Sequence, residues 1–257
     1  MAQLTEIARF LDEELRTTEI PDYEGALNGL QLANGGTVTR VAAAVDCSAK
    51  TIAGALAERA DLLLVHHGMF WGGAQRLVGA AYDRIRSAIG GNLAIYSSHL
   101  PLDMHHTLGN NALLASALEL KVDRPFGRYK DIAVGVAGSS DIPTKELMER
   151  LRAISSRHAT TLVTTPFADS RRTRRWAIVT GSGASSATLA EAREIGADTL
   201  IVGEGPHHTA VEAMDSGLCV AYAGHYATET FGVRALAATV SERFGVPWTF
   251  VDVPTGL

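Results

Sequence analysis

Apolar positions in this chain fall into two patterns, stripes at helical spacing and short continuous runs. Leu4, Ile7, Ala8, Leu11 and Leu15 recur three or four positions apart and predict an amphipathic helix over 4–16. PDYEGALNGLQLANGG follows, rich in Pro, Gly and Asn, and reads as loop. VAAAVDCS (41–48) is a continuous apolar run ending in small polar residues, the pattern of a strand covered on both faces that runs into a helix cap. The helix TIAGALAERA and a second run, LLLV (62–65), complete a strand–helix–strand order, which implies a parallel pair with a right-handed crossover.

The same order returns. Residues 176–205 lay over 41–68: strand, small-residue loop, Ala/Glu-rich helix, Ala-Asp, then a Leu/Ile/Val strand. NLAIYSSHLPLD (92–103) likewise matches LCVAYAGHYATE (218–229), each an apolar strand leading into His-x-x-x-acid and then an Ala/Leu-rich helix. The expected fold is therefore α/β and duplicated, with one repeat over about 41–120 and another over about 130–245. IAVGVAGSS (132–140), the helix KELMERLRAI and TLVTTP complete the second sheet, and WTFVDVP (248–254) is a closing strand. No low-complexity linker separates the halves, so 1–257 is expected to form one domain of two closely packed or intertwined subdomains, layered α/β/α.

Composition narrows the function. Apolar residues make up 46% and charged residues 20%, an ordinary globular balance, and a net charge of −5 argues against nucleic acid as the main partner. The one basic cluster, Arg171, Arg172, Arg174 and Arg175, reads as a solvated loop or strand edge. Cys47 and Cys219 lie in apolar stretches and form no Cys-x-x-Cys pair, as expected of buried free thiols in a reducing compartment. The N-terminus lacks a basic region followed by an apolar core, and no run of about eighteen apolar residues is present, so a cytoplasmic protein without membrane spans is expected.

The candidate chemistry sits where the predicted strands end, the place where open α/β sheets bind ligands. LLLV runs into His66-His67-Gly68. Adjacent strand residues point to opposite faces, so one site could use both only if the chain turns there; alternatively each binds a different metal. His225-x-x-x-Glu229 on a helix places both side chains on one face, as metal ligands or as part of a capping network. Asp103 follows Leu-Pro-Leu, which predicts an extended approach and a carboxylate on a loop. Three histidines and two acids from corresponding loops exceed the three protein ligands of a catalytic zinc, and two ions fit that count better. His99 and Glu204, level with His225 and His67 in the repeat overlay, are candidates for orienting or proton-transfer roles. His207 and His208 open a helix, His105 and His106 precede one, and His158 reads as surface.

LNGLQ, LLLVHHGMFW, SSHLPLDMHHTLGNNALLASAL, IVGEG and YAGHYATETFGVRAL together resemble the dinuclear-metal hexameric proteins catalogued as GTP cyclohydrolase I type 2 homologues, the Ngg-interacting-factor-three-like family. The similarity runs from about Leu27 to the C-terminus. It implies two intertwined α/β subdomains, a toroidal homohexamer and two divalent ions per chain, for which imidazole and carboxylate ligands suit Zn, Fe, Mn or Ni. Carried over by motif, the ligands are His66, His67, Asp103, His225 and Glu229, with Glu229 as the bridge.

The leading expectation is a metal-dependent hydrolase acting through a metal-activated water on a small molecule, a nucleotide or phosphate ester, with His99 or Glu204 moving protons. The family label points to GTP ring opening, an inference at the level of fold. No P-loop is present, and GSGASS (181–186) serves either anion binding or tight geometry. The alternative is a non-enzymatic ring-shaped metal-binding or scaffold protein. A dinucleotide-binding dehydrogenase is excluded, because no Gly-x-Gly-x-x-Gly follows the first predicted strand.

Overall fold

The computed structural model of the chain describes residues 1–73 and 76–257. It forms two units, Met1–Leu102 with Gly232–Val253, and Asp103–Phe231 with Pro254–Leu257. In chain order the elements begin with β1 (Ala2–Gln3), α1 (Leu4–Leu15), β2 (Gly29–Leu32), β3 (Thr37–Val38), β4 (Val41–Asp46), α2 (Ala49–Ala57) and β5 (Leu62–His67). They continue with α3 (Ala80–Gly90), β6 (Ala94–Ser97), α4 (Leu100–Asp103), α5 (Asn110–Ala117), β7 (Val122–Tyr129), β8 (Ile132–Pro143) and α6 (Thr144–Ser156). The remainder is β9 (Val163–Thr164), β10 (Arg172–Val179), α7 (Ser186–Glu194), β11 (Thr199–Val202), α8 (His207–Asp215), β12 (Cys219–Tyr222), α9 (His225–Phe244) and β13 (Trp248–Phe250). The buried residues of α1 are Leu4, Ile7, Ala8, Leu11 and Leu15, the stripe its spacing prescribes.

Each unit is organised on one plan. The first sheet has the order β13–β4–β5–β6–β2, and the second contains β8–β10–β11–β12–β9 with β7 added outside β8. In both, three parallel strands lie side by side and an antiparallel strand closes one edge, β2 on β6 and β9 on β12. The opposite flank differs, since β13 runs parallel to β4 whereas β8 runs antiparallel to β10.

Continuous apolar runs form these central strands because helices cover them. In the second unit Trp176, Ile178 and Ile201 meet Leu114 and Leu118 of α5 and Leu147 and Leu151 of α6. The alternate residues Ala177, Val179, Leu200 and Val202 meet Leu189 and Ala192 of α7 and Ala213 of α8. That unit is therefore layered α/β/α. In the first unit Ala42, Ala44, Leu63 and Val65 meet Ile52 and Ala55 of α2 and Ala88 of α3. Their neighbours Ala43, Leu62 and Leu64 are also fully buried, so that sheet too is covered on both faces.

Two local expectations change, and one strand not expected from the sequence is added. The Pro/Gly/Asn-rich stretch after α1 contains β2, whose Leu30 pairs with Tyr96, a partner too distant in sequence to leave a local signal. Asp103 is not on an extended loop: Leu100–Asp103 is a helical turn, and Pro101 in a first turn forfeits no hydrogen bond. The segment with Pro125 forms β7, which a proline permits because β7 is an edge strand. The cluster Arg172, Arg174 and Arg175 lies in β10 with all three side chains exposed or partly so. Among the described residues no helix is long and apolar enough to cross a membrane.

Candidate metal centre

In the first unit β5 delivers His66 and His67 at its last two positions, and the strand has not ended there, since Asp46 still pairs with His67. The two rings nonetheless lie 4.8 Å apart. With His99, just beyond β6, they form a group whose ligand nitrogens all lie within 4.8 Å of one another. His66 is fully buried and His99 nearly so.

Each imidazole is fixed from behind. The Nδ1 of His66 donates to the Ser98 carbonyl at 2.9 Å, which sets the tautomer and gives the lone pair to Nε2. The Nδ1 of His67 lies 2.8 Å from Oδ1 of Asp46, and that of His99 lies 2.8 Å from Oδ1 of Asp22. Asp22 is the most elaborately held of these partners: it also accepts from Asn28 Nδ2 and from the backbone N–H groups of Tyr23 and Leu100. Burial acts to raise its pKa, yet the hydrogen bond and charge of His99, with the Asn28 and Tyr23 bonds, hold it below the ordinary value. Asn28 Oδ1 accepts from the His99 N–H, so one asparagine sets both the carboxylate and the histidine backbone. Trp71 stands edge-on to His99, with ring centroids 4.6 Å apart.

In the second unit His225 and Glu229 occupy the first turns of α9, and their Nε2 and Oε2 lie 3.1 Å apart. On its other side His225 presents Nδ1 to Glu204 Oε1 at 2.8 Å. Burial disfavours a charged His225, but the bonds and charges of Glu229 and Glu204 outweigh it and push its pKa up to about 9. Glu229 is 2% exposed and Asp103 7% exposed, and their carboxylate oxygens lie within 4.8 Å of each other. Asp103 Oδ1 accepts from Asn110 Nδ2 at 2.8 Å, while Asn111 ties the Asp103 carbonyl to the Thr180 N–H.

Gly181 keeps space beside this group. It sits at φ 63, and a Cβ there would collide with the Glu229 carboxylate and come within 3.4 Å of His225 Nε2. Two buried carboxylates this close repel unless a cation or proton joins them, and histidines whose Nδ1 is engaged offer Nε2 as donor. The donor set could hold a metal ion.

The sequence-predicted residues divide accordingly: His66, His67 and His99 are gathered in one unit, and Asp103, Glu204, His225 and Glu229 in the other. The repeat overlay is one residue out after the third strand. Val65 pairs with Ser97 but Val202 pairs with Tyr222, so His99 falls level with Gly224, and Leu100 of α4 with His225 of α9. His207 and His208 are exposed at the start of α8. His105 and His106 stack 4.9 Å apart, with His105 Nδ1 accepting from Leu108 N–H. His158 is half-buried and lies against Tyr226. Asp22, Asn28 and Asp46 escaped the sequence reading; the signal for Asn28 was its place in LNGLQ.

Known proteins are similar to this chain in sequence and architecture. The profile of the family described as Duf34/NIF3 (NGG1p interacting factor 3) matches residues 2–255. A protein of Deinococcus radiodurans named GTP cyclohydrolase 1 type 2 homolog is 41% identical, over 98% of this chain and 94% of its own. One of the same name from Pyrococcus abyssi is 40% identical, over 98% of both. Among solved structures, TTHA1606 from Thermus thermophilus is similar at a TM-score of 0.82 and 35% identity, with both chains fully covered. The protein ybgI, of unknown function, is similar at 0.88 and 31%, also with full coverage of both.

Proposed function

The chain belongs to the Duf34/NIF3 family, and from that premise we propose that it is a divalent-metal protein with hydrolytic activity of the GTP cyclohydrolase 1 type 2 kind. The ligands in this reading are His66, His67, Asp103, His225 and Glu229, and two ions per chain suit so many donors. The observation that carries it is the shared state of the histidines. His66, His67, His99 and His225 each place Nδ1 against an oxygen acceptor, the arrangement that orients an imidazole to ligate a metal through Nε2. Imidazole with carboxylate suits Zn, Mn, Fe or Ni. When bound, such ions supply Lewis acidity and make water a better acid near neutral pH.

The chain's own residues do the rest. Glu204 orients His225 through Nδ1, and Asp22, held by Asn28, orients His99 so that Nε2 can hold or pass a proton. Gly181 keeps the Glu229 carboxylate in place by leaving it room. The substrate in this reading is a small molecule, a nucleotide or phosphate ester, and the assembly is a homohexamer in the cytoplasm.

The test is metal content together with hydrolysis of a nucleotide and phosphate-ester panel, on wild type and Glu204→Ala. The expected result is about two ions per chain, one substrate turned over, and turnover lost in Glu204→Ala with metal retained. Metal in both proteins with turnover in neither overturns the hydrolase and favours a metal-binding scaffold. The same samples give the oligomer mass by light scattering, expected at six chains.

A further inference from the structure

A cavity of about 390 Å³ opens in the first unit beside the segment that follows His66 and His67. Leu27, Met69, Phe70, Leu77 and Ile85 give it apolar walls, and Arg84 of α3 supplies a cation. The Arg84 Nε–H is buried with no acceptor among the described residues. The one hydrogen bond the guanidinium makes among them runs from Nη2 to the Met69 carbonyl at 3.5 Å, beyond the usual range. Glu24 also lines the cavity, but it is exposed and no ion pair among the described residues joins it to Arg84. A partly buried guanidinium among apolar side chains costs free energy unless an anion meets it.

The walls are built rather than incidental, and Gln31 builds them. Its Nε2 donates to the carbonyls of Leu27 at 2.8 Å and Ala26 at 3.3 Å, while its Oε1 accepts from the Met69 N–H at 2.7 Å. One side chain thus ties the Leu27 wall to the Met69 wall. A Cβ at Gly68 would collide with that amide, so this clamp requires glycine there. Leu27, held by its carbonyl, takes φ 40, where a branched side chain is strained, and is left 54% exposed. Backbone strain that holds a leucine out in solvent gains nothing for the fold; a ligand covering it recovers the apolar area.

We propose that this cavity is a binding site for an organic anion, with a carboxylate or phosphate head on Arg84 and an apolar ring system against Leu27, Phe70 and Ile85. The size suits a ligand of one or two rings. LNGLQ then has two tasks, since Asn28 positions His99 and Leu27 with Gln31 forms the cavity. The site stands whether or not the metal reading does, because none of the five proposed ligands lines it.

The probe is anilinonaphthalene sulfonate, titrated by fluorescence into the native chain beside uncharged phenylnaphthylamine, with metal content followed in parallel. Saturable binding at one site per chain is expected, weakened about tenfold or more in Arg84→Gln, with phenylnaphthylamine unaffected. Glu24→Gln, an exposed change that leaves folding intact, is expected to tighten the sulfonate alone. Leu27→Gly is expected to weaken both probes severalfold. Competition by naphthoate or by naphthyl phosphate identifies the head group. Binding that does not saturate, or a sulfonate affinity indifferent to both Arg84→Gln and Glu24→Gln, overturns the proposal.

Discussion

Gly181 shows how much chemistry can depend on an absent side chain. Its φ of 63 is left-handed, and the space its Cβ would take is held by the Glu229 carboxylate. Gly245 has nearly the same backbone, φ 65, but nothing lies within 4 Å of its Cβ position. Alanine at either place costs about 1–2 kcal/mol for the left-handed conformation. Only Gly181→Ala also displaces a proposed ligand. Gly181→Ala, which adds a clash with the buried Glu229 to that shared cost, is therefore expected to lose more stability in urea than Gly245→Ala, and only Gly181→Ala loses bound divalent metal. Equal metal content in the two would remove Gly181 from the site. From the sequence, GSGASS was readable as a tight turn, but its neighbour Glu229 was not, because 48 positions separate Gly181 from it and local patterns carry no record of such contacts.

At the scale of elements, the duplication extends to the caps. Ser48 begins α2 by accepting from the Thr51 N–H while Thr51 Oγ1 accepts from the Ser48 N–H, a full capping box. Ser185 begins α7 by accepting from the Thr188 N–H at 3.1 Å. Each leads out of the first parallel strand of its sheet, where the helix must start at a fixed residue to return to the next strand. Ser48→Ala and Ser185→Ala are each expected to cost about 1 kcal/mol, read as a lower urea midpoint with no change in its slope. A cost confined to one of them would mean that one helix start is set by packing instead. Long stripes and buried runs were legible here, as α1, β4 and β5 illustrate. β2 and β7 were not, for an edge strand is defined by the partner it finds, and Pro125 and the glycines around β2 argue locally against a strand.

For the whole molecule, the two thiols report on how completely the sheets are covered. Burial is the main cause that pushes Cys47 up to about 12, against the charge of Arg84, and Cys219 up to about 11, against that of Arg171. Both folded values lie above the unfolded ones, so this share of stability is fully present below about pH 9 and is lost as pH rises toward 11–12. The expected result is negligible alkylation of native protein at pH 8 and modification of both thiols in urea. A Cys47→Ala/Cys219→Ala variant should lose less stability than wild type between about pH 9 and pH 11. Rapid native labelling would show that the covering layers open. The sequence by itself determined the α/β class, the repeated strand–helix order and the histidines and acids at strand ends, because periodicity and motif spacing are local and survive without coordinates. Only the tertiary structure decided that Asp22 fixes His99 from 77 positions away, that Gln31 clamps Leu27 to Met69, and that Arg84 faces a cavity. The physical reason is that a side-chain hydrogen bond of 2.8 Å constrains orientation without leaving any regular interval in the chain.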